Sequence, residues 1–483
     1  MTYTHTEYSV QNPLNREPPV KTLVSSFFTP EDISYDRNHG PIPHLTADTH
    51  TVRIDGNVPS PLCLSIHQLQ TEFPQHEVIC ALECAGNRRH AMRTLLKEVQ
   101  GIDWGDAAIM NCKWKGPRLR DVLLRAGVTS SLDRDLYVAF SCYQVQCQED
   151  DWFGSSVELK RCLDEDMDAI LALEMNGSPL TPNHGYPVRV VLPGIAGARW
   201  VKWLDRITVQ DHESSNFYQQ RDYKVLPPDA VDSASAEPYW DRTPAMCDMP
   251  INSVVAVPGD GETVHLSESS TLEVKGYAVP HGADGPVTGV QVSADGGQTW
   301  VDAEIEGSSL ERKWCWVLWR AKVRVEKGTG KQVLSRAFDR GGNVQQEHSQ
   351  WNLRGVGYNG YGRAREHDVL LQVLRDSGSQ TLALEPVVGE QTVGVAVGAI
   401  TQNGDDGLTL AELFGNFLGR NNVERRASSK IETFLIEAAV DHLDRLLIAN
   451  VQRPIQKINV GLKVVRDAAL TNTLRDTASR ALD

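Results

Sequence analysis

No stretch of this chain approaches the ~20 consecutive apolar residues that a membrane-crossing helix requires, so no membrane span is expected. Positive charge is in deficit: 48 Lys and Arg against 63 Asp and Glu leave a formal charge of -15. That argues against general affinity for nucleic acid or for an anionic membrane. A disulfide framework is missing too. Nine cysteines, an odd number at irregular spacings, point to a reducing compartment. Cys80 and Cys84, or Cys142 and Cys147, are spaced like half of a zinc site, but neither has a matching second pair. Cys80, Cys142 and Cys147 therefore read as buried apolar thiols. The N-terminus carries Glu7 and Glu17 and lacks the apolar segment of a secretory signal. The C-terminal Arg480-Ala481-Leu482-Asp483 is not a Ser-Lys-Leu type address. A cytoplasmic location is expected, with the peroxisome and mitochondrion as alternatives. No His-Pro-Gly-Gly haem motif and no flavin or nicotinamide module is recognisable, so neither haem nor flavin is expected.

The chain is 483 residues long, 41% hydrophobic and 23% charged. That is an ordinary globular composition, spread over two or three domains. Residues 1–22, with Pro13, Pro18 and Pro19, suggest an extended arm. Residues 23–238 mix β-like and helical patterns. Val188 to Leu192 reads as a buried strand and Leu119 to Ala126 as a short amphipathic helix. The mixture predicts an α+β fold without the regular alternation of a doubly wound sheet. The stretch from Pro227 to Pro250 is rich in Pro, Asp and Ser and reads as a linker. Over 239–360 the texture becomes β. Gly289 to Trp300 alternates into an Asp-Gly-Gly turn, a hairpin signal, and Trp314 to Trp319 looks like a strand offering large rings to a sandwich core. Strands at such spacing predict an immunoglobulin-like sandwich. Residues 361–483 form a C-terminal extension of unknown role. Thr392 to Ile400 alternates weakly, and Ile431, Phe434, Leu435, Ala438, Leu443, Leu446 and Leu447 recur at helical spacing, with a second helical pattern after Pro454.

Chemistry concentrates in Cys84-Ala85-Gly86-Asn87-Arg88-Arg89. A thiolate is the softest common protein ligand. Guanidiniums beside it would depress the thiol's pKa and attract an anion. Alone, the run reads better as a buried cysteine followed by a surface turn. Other segments shift that balance: Tyr35-Asp36-Arg37-Asn38-His39-Gly40-Pro41, Lys115-Gly116-Pro117-Arg118-Leu119, His184-Gly185-Tyr186-Pro187, Pro193 through Leu204, Arg221-Asp222-Tyr223-Lys224, and Trp351-Asn352-Leu353-Arg354-Gly355. In this order and at these separations they resemble the sulfite oxidase family of molybdenum enzymes over about residues 20–360. The likeness is to the form with only a molybdopterin-binding domain and an immunoglobulin-like dimerisation domain, as in plants.

That resemblance implies a molybdenum–molybdopterin cofactor with Cys84 as the protein's metal ligand. It implies Arg37, Arg89 and Arg354 as an oxyanion clamp, since guanidinium forks suit sulfite and sulfate. Trp104 and Tyr223 fall at the family's remaining pocket positions. Cofactor contacts are expected from Tyr35, Arg37, Asn38, His39, His184, Arg189, Trp200, Val201 and Lys202, with Arg88 structural. Where the family has an acidic pterin contact, this chain has Ser141-Cys142-Tyr143-Gln144-Val145, and Gln144 is a neutral candidate for that role. The implied activity is oxidation of sulfite to sulfate by a homodimer, with oxygen or a separate cytochrome taking the electrons. Three rivals remain: a nitrate reductase-like molybdenum enzyme, a catalytically inactive cofactor-binding dimer, and a hydrolase with Cys84 as nucleophile. The hydrolase is the weakest, as no general base is evident.

Overall fold

The computed structural model describes residues 8–129, 135–266, 270–307, 312–326 and 328–371, and the pairs 388–389 and 392–393. The chain divides into two compact units, Met1–Arg375 and Asp376–Asp483. In the second, Val388–Gly389 pairs antiparallel with Thr392–Val393. The helical patterns expected after residue 430 lie outside the described residues.

In the first unit the described helices are short, the longest being the seven-residue Arg89–Leu95 and Leu119–Arg125. Two sheets frame the N-terminal half. One orders Leu62–Ser65, Thr51–Gly56, Arg206–Gln210, Tyr137–Cys142 and Phe153–Glu158, with Thr51–Gly56 and Arg206–Gln210 parallel and the other neighbours antiparallel. The other pairs Gln75–Glu83 antiparallel with Ile109–Pro117. In Gln75–Glu83, Val78, Cys80 and Leu82 point into one core, the period-2 pattern of a strand covered on one face. Arg189–Val191 pairs with Ile170–Ala172 as the buried strand its sequence suggests. The helix Leu119–Arg125 likewise matches its apolar periodicity. The fold is α+β.

The C-terminal half is a sandwich of a four-stranded sheet (Asn252–Val257, Thr271–Val279, Val317–Arg324, Glu304–Ile305) and a five-stranded sheet (Val264–Leu266, Gly362–Leu371, Gly328–Asp339, Val287–Ser293, Val301–Asp302). The expected hairpin is present: Val287–Ser293 turns through Asp295–Gln298 into Val301–Asp302. Strand Gly362–Leu371 carries the sandwich beyond residue 360.

Three sequence expectations are corrected. The arm is not simply extended. Asn15–Arg16 pairs with Asp36–Arg37, and Val20–Leu23 forms a helical turn whose Leu23 is buried between the domains. The Pro227–Pro250 segment is packed rather than a loose linker: Ala230, Ala236, Trp240, Met246 and Met249 are buried, and Asp232 caps the turn Ser233–Ala236. The strand near Trp314 begins only at Val317, and its rings do not share one core. Trp314 joins the N-terminal core, Trp316 the interdomain cluster, and Trp319 alone the sandwich interior. Each indole thus buries area in a different interface and binds the domains together.

Candidate active site

Strand Gln75–Glu83 ends at the edge of a cleft, and Cys84 is the first residue beyond it, buried with its N–H donating to Ala108 O at 2.9 Å. The cleft is lined by Tyr35, Arg37, Asn38, His39, Cys84, His184, Arg189, Trp200, Lys202 and Tyr223 among others. Residues separated by up to 188 positions therefore meet around one thiol.

The expected electrostatic effect on Cys84 is reversed. Burial pushes the thiol's pKa up, and the opposing pull of Arg89 and Arg37 is smaller. Among the described residues there is no group of three or more His, Cys, Asp or Glu able to hold a metal ion. A metal at Cys84 would need its other ligands from a cofactor.

Four buried polar atoms in this region have no hydrogen-bond partner: His184 Nε2, Arg189 Nε, Asn183 Oδ1 and Trp104 Nε1. The first three belong to cleft-lining residues. Buried polar atoms left unpaired are expensive, and the cleft's Arg189 Nε, His184 Nε2 and Asn183 Oδ1 suit a ligand that offers both acceptors and donors. Arg189 is fixed by donating to His184 O at 3.0 Å and Trp200 O at 3.2 Å. His184 Nδ1 meets Thr181 Oγ1 at 2.7 Å, and burial holds the imidazole well below its usual pKa. Lys202 Nζ donates to Asn183 O at 2.9 Å, Arg37 O at 3.3 Å and Asn38 Oδ1, while burial lowers its pKa to about 7. These donors, with the indoles of Trp200 and Trp203 as walls, fit a pterin carrying a phosphate tail. A single soft sulfur at the cleft fits a metal that brings further sulfur and oxygen ligands.

Not every expected residue reaches the cleft. Val201 is buried behind it, its carbonyl accepting from Val190 N at 2.9 Å. Arg89 donates to Arg354 O at 3.0 Å and Ile102 O at 2.7 Å. Its side chain runs through a slot made by three glycines. A Cβ on Gly86, Gly101 or Gly355 would come within 2.5, 2.8 and 2.7 Å of it. Arg354 pairs with Asp222 Oδ1 through Nη2 at 2.5 Å and Nε at 3.1 Å, within the same chain. Docking of the sandwich domain within one chain thus brings Arg354 to Asp222. Trp104 is buried and lies outside the cleft lining. His39 lines the cleft, but both ring nitrogens face protein partners. Gln144 lies on the exposed side, donating to Asp205 Oδ2 at 2.8 Å, and does not line the cleft. Arg88 is structural, reaching Asn252, Ser253, Gly360 and Tyr361 in the sandwich domain.

Sequence reasoning missed the arm's part. Asn15 Oδ1 accepts from Arg37 Nη1 at 3.1 Å and Asn38 N at 3.2 Å. Arg16 Nε donates to Asp36 Oδ2 at 3.0 Å, and Glu17 Oε1 accepts from Gly105 N at 2.7 Å, beside Trp104. A polar Asn-Arg-Glu triplet between prolines is the signal that was present. Asn183 and Trp203 also line the cleft; Trp203 stands inside a quoted motif and Asn183 immediately before one.

Residues 39–218 match the model of the oxidoreductase molybdopterin binding domain, and residues 243–368 that of the Mo-co oxidoreductase dimerisation domain. Human mitochondrial sulfite oxidase is 40% identical over 359 residues, covering 73% of this chain and 64% of that protein. Sulfite oxidase of Arabidopsis thaliana is 38% identical over 374 residues, covering 72% and 90%. A barley (Hordeum vulgare) NADH nitrate reductase is 38% identical over 358 residues, covering 72% and 39%. The chain thus spans about two thirds or less of the mammalian relatives' length. Among solved structures, the sulfane dehydrogenase SoxCD of Paracoccus pantotrophus superposes with a TM-score of 0.60 at 25% identity, covering 71% of this chain and 82% of that one.

Proposed function

Since the chain belongs to the sulfite oxidase family of molybdenum oxidoreductases, we propose that it oxidises sulfite to sulfate at a molybdenum–molybdopterin cofactor, as a homodimer, and passes electrons to oxygen or a separate acceptor. The observation that carries this reading is the convergence of Cys84, Arg37 and Tyr223 on one cleft backed by unpaired donors of His184 and Arg189.

The bound cofactor would supply the oxygen atom and accept two electrons. Cys84 Sγ would be the protein's metal ligand. Because burial keeps the thiol protonated, metal binding there releases a proton. His184, Arg189 and Lys202 would hold the pterin and its phosphate, with Tyr35 and Asn38 completing the polar wall. Arg37 offers the oxyanion a fork whose Nη1 is fixed by Asn15, so little is reorganised when the anion arrives. Arg89 is buried, and its guanidinium is anchored on two carbonyls. Its charge reaches the cleft more than its hydrogens do. Arg354 balances the carboxylate of Asp222, which neighbours Tyr223, and an incoming anion would compete for that guanidinium. Together these cations create a local positive field in a chain of net charge -15.

The test is molybdenum quantification followed by sulfite oxidation under air with hydrogen peroxide measured, beside nitrate reduction with reduced viologen. Sulfite turnover in a molybdenum-loaded protein is expected, and peroxide would identify oxygen as acceptor. Nitrate reduction without sulfite turnover, or a loaded but inert protein, would overturn the reading. Arg37→Met should lower kcat/KM for sulfite by roughly 10–100-fold, the scale of one charge-assisted contact.

A further inference from the structure

The loop that follows the helix Arg89–Leu95 touches two of the cations assigned to the anion. Ile102 O accepts from Arg89 Nη1 at 2.7 Å, and Gly101 is one wall of the slot around the Arg89 guanidinium. Gln100 Oε1 accepts from Arg354 Nη1 at 3.3 Å, and Gln100 N donates to Leu353 O at 2.8 Å. Three consecutive residues thus seat two guanidiniums that lie 265 positions apart in the chain.

Residues 97–104 are neither helix nor strand, so side chains must set the shape of this backbone. Arg93, one helical turn after Arg89, does so. Its Nε donates to Glu98 Oε1 at 2.6 Å, its Nη2 to Val99 O at 3.0 Å and Gly101 O at 3.4 Å, and its Nη1 pairs with Asp103 Oδ1. A rigid fork of five donors suits several acceptors spread over a bend. The bonds run from residue 98 to residue 103 and so straddle Gln100, Gly101 and Ile102. His90 Nδ1 meets Asp103 Oδ2 at 3.0 Å and holds the far end. Arg93 itself does not line the cleft. Arg37 is held separately, by Asn15 Oδ1 and His39 Nδ1.

We propose that Arg93 is a positioning residue for anion binding: as a clip on the loop 98–103, it sets Arg89 and Arg354 relative to one another. That the anion is sulfite rests on the function proposed above; the clip does not.

The test uses the full-length, molybdenum-loaded protein, with sulfate affinity read by calorimetry beside KM and kcat for sulfite. Arg93→Met should weaken sulfate binding and raise KM by roughly 10-fold, the scale of a small misplacement of binding groups. Its kcat should stay within about threefold of the parent, since the cofactor's own contacts are untouched. In a background carrying both Arg89→Met and Arg354→Met the effect on affinity should shrink below about twofold, whereas in Arg37→Met it should persist in full. Asp103→Ala cuts the same clip while removing a negative charge. Electrostatics alone would then tighten sulfate binding; positioning predicts that it weakens. It also serves in place of Arg93→Met if that variant does not fold. An equal effect in every background, tighter sulfate binding by Asp103→Ala, or a kcat loss as large as the KM change would overturn the proposal. A parent that turns over no sulfite but shows this pattern of sulfate affinities refutes the sulfite reading and leaves the clip standing.

Discussion

Arg88→Met tests whether the domain junction beside the cleft depends on one cation. The Arg88 side chain is 3% exposed. It donates to Asp106 Oδ1 at 3.2 Å, Asn252 Oδ1 at 2.6 Å, Ser253 O at 3.3 Å, Gly360 O at 2.7 Å and Tyr361 O at 2.9 Å, and lies over the Tyr358 ring at 4.7 Å. Removing one member of a buried, hydrogen-bonded charge pair costs about 3–5 kcal/mol. Two features place this case near the lower end. Gln345 Nε2 also donates to Asn252 Oδ1, Ser253 O and Gly360 O, so those acceptors each keep a partner. Asp106 is 31% exposed and can recruit water. Methionine fills the stem volume, and the left-handed backbone at this position (φ 64) is shared by both proteins, so backbone strain cancels. A loss of about 3 kcal/mol is therefore expected in urea unfolding followed by far-ultraviolet dichroism and tryptophan fluorescence. The KM for sulfite should rise as well, because the segment 354–361 that takes these bonds also supplies Arg354. A variant within 1 kcal/mol of the parent, with unchanged KM, would refute the reasoning.

Glu83→Gln should change the pH dependence of stability. Burial raises the Glu83 carboxyl to about 7, against the opposing effects of Asn87 and Arg88. Between its unfolded value near 4.5 and about 7 the native state binds more protons than the unfolded state. Stability therefore falls as pH rises through that window. Glutamine still accepts from Asn87, so the variant should exceed the parent by about 2–3 kcal/mol above pH 7 and lose that advantage at acid pH. Parallel melting curves across pH 5 to 8 would count against this account. Lys202→Met should abolish a pH dependence of anion binding. With its pKa lowered to about 7 by burial, Lys202 must take up a proton to hold an anion above that pH. Sulfate affinity of the cofactor-free parent should therefore be full below pH 7 and decline above it, while the variant stays flat. A parent with flat affinity from pH 6 to 9 would sink that assignment.

That Cys84, His184, Arg189 and Trp200 share one cleft, and that Leu119–Arg125 is a helix, were legible in the sequence, because each sits in a dense motif or a clear periodicity. What was not legible depends on contacts distant in the chain. Nothing local says why Arg89 turns into a slot while Arg88 turns to the sandwich. The slot exists because Gly86, Gly101 and Gly355 converge, and Arg88's acceptors come mainly from residues 252–361. The sign of the Cys84 shift was misjudged because adjacent cations are visible in a sequence and desolvation is not. The arm was undervalued for the same reason: Asn15 and Glu17 are ordinary polar residues until residues 37 and 105 are placed against them. The three tryptophans of 314–319 looked like one core because spacing along a strand cannot show that its approach crosses a domain boundary.

The glycine slot and the carbonyls of Arg354, Gly360 and Tyr361 set an order on synthesis. Cys84 leaves the ribosome early, yet the partners that seat Arg88 and Arg89 include carbonyls 265 to 273 residues further along the chain. A nascent chain shorter than about 360 residues displays the thiol strand with both neighbouring cations unanchored, so the cationic surround of the cleft is completed only once that length has been made.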